Sequence, residues 1–347
     1  MNEAARVEER GETKSLVVQT KPFTVESRAK SVWFTISSFA LLCAAIAVAA
    51  RPAETPLQWA LRTSGSVVAG LVIVRCFILF HDYWHGAILR RSQVAKAIFW
   101  VFGILIMTPA KVWRDTHNYH HAHNAKIVGS NIGSYIMVTT GMWAKMTPSQ
   151  RTMYRMVRHP LTIALGYFTI FMLGMGVSPF LRAPKKNWTA GLALVVNWGL
   201  TALIVWKLGF AVWAFAFFLP LAIAMAMGAY LFYAQHNFPE MVVQPRESWN
   251  FQRAALESSS YMEMGPVMAY FAGNIGVHHV HHLNPLIPFY RLPEAMAAIP
   301  ELQPTHKTSL RLADVRACFR QKLWDPDQGR MVGYPTSLPA LASQTDT

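Results

Sequence analysis

Residues 64–86 read SGSVVAGLVIVRCFILFHDYWHG. Up to Phe80 the stretch is almost wholly apolar, broken only by Arg75 and small polar residues, and it ends directly on His81, with His85 one helical turn further on. A helix rises about 1.5 Å per residue, so an apolar run approaching 20 residues crosses the roughly 30 Å hydrocarbon core of a bilayer. Further apolar runs lie at 31–50, 94–109, 161–181, 189–206 and 209–235. Hydrophobic residues make up 53% of the 347-residue chain and charged residues only 14%, against about a quarter charged in soluble proteins. The class is a multi-span, all-α membrane protein.

The formal charge of +14 does not point to nucleic acid. The lysines and arginines are spread over the segments between apolar runs and build no nucleic-acid module. They fit the positive-inside rule and attraction to anionic headgroups. Cys43, Cys76 and Cys318 show no paired spacing, which argues against a disulfide framework or zinc finger. Thirty mostly polar residues precede the first run, so AVAARPA at 47–53 reads as the end of a retained anchor rather than of a cleaved signal. The expected organisation is a cytosolic N-terminal tail at 1–30, one membrane domain at 31–330 and a loosely ordered C-terminal tail at 331–347.

Eleven of the 13 histidines fall in short windows at 81–85, 117–123, 236 and 278–282. His159 and His306 stand apart and read as surface residues. For the clusters to share one site, an even number of crossings must separate them. Run 94–109 lies alone between the first two clusters and is expected to be re-entrant or interfacial. Three runs separate the second cluster from the third, so one of these also fails to cross. The choice falls on 161–181, which carries Gly166, Gly174, Gly176 and Pro179 between Arg158 and Arg182. Four spans remain. Arg90, Arg91, Lys96, Lys111, Arg114, Lys126, Arg151 and Arg155 then lie on the cluster side, which makes that side cytoplasmic. Arg75, near that end of its span, is expected to snorkel to the headgroups.

His81 and His85 are spaced i, i+4, and His117, His120 and His121 are spaced i, i+3, i+4, as are His278, His281 and His282. Each set lies on one helix face. Imidazole suits zinc, copper, iron and nickel. Eight helix-phased histidines exceed the three or four ligands of a single zinc, which implies two metals of higher coordination. Iron is the redox-active choice for a nitrogen-rich site with open positions, and copper also fits the spacing. His123 and His279 are out of phase and are expected behind the ligands. Asp82 and Asp115 are placed to orient ligand imidazoles by accepting their free N–H.

HDYWHG (81–86), WRDTHNYHHAHN (113–124) and NIGVHHVHHLNP (274–285) resemble the three histidine boxes of the membrane fatty acid desaturases, most closely the bacterial acyl-lipid, delta-12/omega-6-like branch. The resemblance covers roughly residues 30–310. It implies four transmembrane helices with interfacial or re-entrant helices, and a cytosolic cap holding a histidine-rich di-iron site. By position it assigns His81, His85, His117, His120, His121, His278, His281 and His282 as ligands. It adds His236 of YAQHNFP after the last span, and Asn274 as a residue acting at one iron directly or through water.

The implied activity is O2-dependent formation of a cis double bond in a lipid-bound or thioester-linked fatty acyl chain, in a bacterial cytoplasmic membrane with the site on the cytoplasmic side. The electrons must come from a separate donor, a ferredoxin or a b-type cytochrome with its reductase. The chain itself carries no GxGxxG, HPGG or CxxCH sequence. The basic cytosolic face suits an acidic donor. The same boxes serve membrane di-iron hydroxylases and ketolases acting on alkane, sphingolipid or carotenoid. A metal-ion transporter would need its ligands at mid-membrane depth. A haem-bearing subunit would need one histidine on each of two facing helices.

Overall fold

The computed structural model describes residues 16–127, 132–304 and 306–336. Among these residues, four helices are long and apolar enough to cross a membrane: α1 (Arg28–Ala49), α2 (Pro56–His85), α5 (Trp188–Leu208) and α6 (Phe210–Gln235). Between them, α3 (Gln93–Leu105) and α4 (Ala110–Ala122) are bent from one another by 91°. Run 94–109, expected to be re-entrant or interfacial, forms α3 and the bend that leads into α4, the geometry of a re-entrant loop or of a broken span. Run 161–181 is built as a short helix (Pro160–Ala164), a π-helical stretch (Tyr167–Val177) and another short helix (Ser178–Arg182). It is not among the four long helices, in line with its glycines and proline.

Helix α2 is the centre of the bundle. Its most apolar window is 67% buried, whereas the windows of α1, α5 and α6 are 22% buried and offer most of their surface to lipid. Thr55 and Gln58 form a capping box at its start, with Pro56 at the first helical position. Gly86, at φ 77°, ends it immediately after His85, a backbone turn that glycine makes without steric cost. Small residues set the helix contacts, since apolar surface in lipid gains little from burial alone. Ser31, Thr35, Ser38, Ala45 and Ala49 line the buried face of α1. On α2, a Cβ added at Gly70 would come within 2.8 Å of Ile223 on α6. Gly209, at φ 86°, is the single residue between α5 and α6.

Arg75 departs from expectation. It does not snorkel but is buried within the protein, only 3% exposed. Its Nε donates to Ser38 Oγ on α1 at 3.0 Å, and a second N–H donates to the Tyr270 carbonyl. Its guanidinium lies 3.9 Å from the centre of the Tyr270 ring, a cation–π geometry that favours the charge. A headgroup is replaced by partners from α1 and from α7 (Pro266–Phe271).

After α6 the chain forms a cap. It contains α8 (His278–Leu283), a two-stranded parallel pair β1 (Tyr261–Glu263) with β2 (Lys307–Ser309), and an antiparallel pair β3 (Leu323–Asp325) with β4 (Arg330–Val332). The supposed tails contribute to it. Leu16 packs in the cap's apolar cluster with Val280 and Leu283, Asn284 Nδ2 donates to Thr20 Oγ1, and Arg291 donates to the carbonyls of Pro22 and Val25. At the other end, residues 331–332 belong to β4, and Tyr334 packs on Trp143. Residues 1–15 and 337–347 lie outside the described residues.

The tight α2–α6 contact generates a prediction. Gly70→Val should destabilise the protein by about 1–3 kcal/mol through overpacking, lowering its melting temperature in detergent. Gly199→Val should leave it unchanged, because nothing beyond the adjoining residues and backbone of its own helix lies within 4 Å of the added Cβ there. Equal effects at the two positions would refute the packing described.

Candidate metal centre

Four chain segments deliver imidazoles to one place. His81 and His85 occupy the last turn of α2, and Gly86 stops the helix there. His117, His120 and His121 share the inner face of α4, which the turn at residues 106–109 and the 91° bend aim across the end of α2. His236 caps the end of α6. Consecutive left-handed residues, Gly273 at φ 54° and Asn274 at φ 55°, turn the chain toward α8, which carries His278, His281 and His282. Gly273 is pressed against Ile78 of α2, where a Cβ would meet the side chain at 2.7 Å.

The imidazoles form two adjoining groups. Ligand nitrogens of His81, His85, His117, His121 and His281 lie within 4.8 Å of one another, as do those of His120, His236 and His282. His278 joins the second group, its Nε2 standing 2.9 Å from that of His236 and 3.1 Å from that of His282. The groups abut where the rings of His121 and His282 stack at 4.2 Å.

The donor chemistry fits a cation in each group. The Nε2–Nε2 separations are 3.1 Å for His117–His121, 3.1 Å for His121–His281 and 3.0 Å for His120–His236. Two nitrogens each about 2.1 Å from one ion, at right angles, would stand about 3.0 Å apart. Hydrogen bonding alone does not satisfy the set, because a neutral imidazole has a single N–H. The Nδ1 of His81 lies 3.0 Å from Asp82 Oδ1, and that of His236 lies 3.2 Å from the Ser258 carbonyl. With their protons there, both rings turn a bare lone pair inward. Burial holds His117, His120, His121, His278, His281 and His282 well below the ordinary histidine range, and pushes His236 down to about 4. These rings are neutral near pH 7, the form that binds metal.

The remaining candidates separate by environment. Asp82 is buried and doubly engaged, with Oδ1 on His81 and Oδ2 accepting the Phe289 N–H at 2.7 Å. Asp115 does not orient a ring: it lies on the outer face of α4, paired with Lys111 and Arg114 and about half exposed. His123 donates to the Tyr119 carbonyl at 2.9 Å and stacks on its ring, and His279 donates to the Leu302 carbonyl at 2.9 Å. Each supports the local backbone and lies outside both groups. Asn274 Nδ2 donates to the Phe289 carbonyl at 3.2 Å, so it braces the residue whose N–H holds Asp82. His159 caps the helix at 160–164, and His306 pairs with Glu240, both outside the cluster as expected.

Several surrounding residues carried no sequence signal. Trp113 stacks on His117 at 4.5 Å, and Asn124 donates to the Ala254 carbonyl and Ser259 Oγ. A cavity of about 30 Å³ reaches His120 and His236 and is lined by Tyr135, Met137, Arg158 and Phe232 among others. It touches the second group only.

Comparison with known proteins followed the same residues. The fatty acid desaturase family profile matches residues 57–313, most of the chain and all of the histidine windows. The chain is 28% identical over 284 residues to a fatty acid desaturase of Bacillus subtilis, covering 79% of each. It is 23% identical over 249 residues to an sn-1 oleoyl-lipid 12-desaturase of Synechocystis, covering 71% of this chain and 68% of that one. It is 24% identical over 253 residues to an sn-1 acyl-lipid omega-3 desaturase (ferredoxin) of Nostoc, covering 67% of this chain and 66% of that one.

The contrast between the two aspartates can be measured. Asp82→Asn should weaken metal retention about 10- to 100-fold, as loss of a carboxylate behind a ligand histidine does, read by competition with a chelator. Asp115→Asn should leave it unchanged. Equal retention in both variants would show that Asp82 does not hold His81.

Proposed function

The chain belongs to the fatty acid desaturase family, and we propose that it inserts a cis double bond into a lipid-bound acyl chain, using O2, two non-haem irons and electrons from a separate carrier. The observation that carries this is the convergence of nine imidazoles into two abutting groups at the ends of α2 and α6. His81, His85, His117, His121 and His281 would hold one iron, and His120, His236, His278 and His282 the other. Iron bound there would supply the activation of O2 needed to remove hydrogen from an unactivated methylene, which no side chain can do.

The chain's own residues prepare that chemistry. Burial keeps the imidazoles neutral and their lone pairs available. Asp82, itself held by the Phe289 N–H, fixes the tautomer and tilt of His81, and the Ser258 carbonyl does the same for His236. Asn274 acts through Phe289 rather than as a ligand. Phe232 packs edge-on against His120 at 5.1 Å between ring centres; together with Tyr135 it walls the cavity that opens on the second group, and we assign the approach of the reacting carbons to that side.

An acyl lipid is favoured over a soluble thioester by the substrates named for the relatives in Synechocystis and Nostoc, and the ferredoxin named for the latter favours an iron–sulfur donor. The basic residues flanking α3 and α4, from Arg90 to Lys126, favour a cytoplasmic site, in the inner membrane of a bacterium. The test is expression in a host that lacks polyunsaturated lipids, followed by fatty acid profiling. The wild type should yield a new double bond, and His120→Ala, with correct membrane insertion, should yield none. A hydroxylated product, or an unaltered profile from iron-loaded wild type, would overturn the desaturase outcome.

A further inference from the structure

Helix α4 contributes to both imidazole groups, with His117 and His121 in one and His120 in the other. Its opposite face is solvent-exposed and reads Lys111, Arg114, Asp115, Asn118 and Ala122 along one stripe. An α-helix with its side chains is about 10–12 Å across. Anything seated on that stripe is therefore separated from both groups by one helix thickness, without any intervening element. The stripe is cationic. Among the described residues, Lys111 and Arg114 share one acid, Asp115, and the Arg114 guanidinium lies over Trp84 at 5.7 Å. Two residues beyond Trp84, the Gly86 carbonyl accepts from Arg90, which extends the positive surface onto the end of α2. On the inner side Trp113 stacks on His117 at 4.5 Å and meets His81 and His85 edge-on.

The geometry points to the outer stripe of α4 as the docking surface for an acidic one-electron carrier, an iron–sulfur protein of net negative charge. This rests on the desaturase reading, whose balance requires such a partner. For each double bond, one –CH2–CH2– unit, one O2, two electrons and two protons give –CH=CH– and two waters. Two reduced carriers are each oxidised by one electron, in succession. A carrier on α4 delivers to either group over the same short distance, and Lys111 and Arg114 steer its approach.

The test uses the full-length, iron-loaded protein in phosphatidylcholine vesicles, so that headgroup charge is absent, with an acidic [2Fe–2S] ferredoxin as probe. Binding of oxidised ferredoxin is measured at low salt, and KM and kcat for reduced ferredoxin are measured separately. Lys111→Glu with Arg114→Glu should weaken binding and raise KM at least tenfold, flatten the salt dependence of both, and leave kcat at saturating ferredoxin near wild type. Asp115→Asn should change binding in the opposite direction. Arg311→Glu, an exposed charge on the cap, should change neither. Wild-type binding by the doubly reversed variant, or an equal loss from Arg311→Glu, overturns the assignment. Failure of the wild type to form any unsaturated product, while the binding differences persist, would instead overturn the desaturase reading.

Discussion

Seven imidazole nitrogens stand about 3 Å from a neighbouring one, away from water, and those of His81 and His85 lie within 4.8 Å of their group, an arrangement that a cation in each group would satisfy. Each ring has one hydrogen to give, and at His81 and His236 that hydrogen points outward to Asp82 or to the Ser258 carbonyl. Desolvation keeps the rings from taking up protons of their own. The rest of the architecture serves this convergence. The 91° turn between α3 and α4 lays three imidazoles across the end of α2, and the left-handed pair at 273–274 leads the cap back over them.

The spans and the imidazoles were legible in the sequence because both leave a local imprint. Apolar length marks a helix that lipid can surround, and i, i+3, i+4 spacing marks one face that must reach a common point. Even the shortness of run 94–109 was informative, since the chain there forms two helices bent by 91° rather than one long apolar helix. What could not be read depends on contacts distant along the chain. Asp82 and Asp115 both sit beside a histidine box, and nothing local separates them. The difference is that Phe289, 207 residues away, donates to Asp82, while Asp115 faces out. Arg75 has the sequence context of a snorkelling residue, yet Tyr270, 195 residues on, supplies the acceptor that keeps it inside. The N-terminal segment reads as polar tail because its partners, Asn284 and Arg291, lie in the cap.

These distant contacts form a connected set with a physical purpose. Arg75 ties α1 and α2 to α7, Asn274 holds Phe289, Phe289 holds Asp82, and Asp82 holds His81. The cap is thereby fastened to the central span at the level where a ligand ring is aimed. A metal site built from four separate segments needs such bracing, because each ring must stay within a fraction of an ångström of its place.

The central claim, that the clustered imidazoles hold a pair of irons and no haem, is most directly tested by metal analysis and optical absorption of the purified protein. The account predicts about two irons per chain and no Soret band. Protein that folds and is active with a single metal ion, with zinc alone, or with a haem spectrum would contradict it.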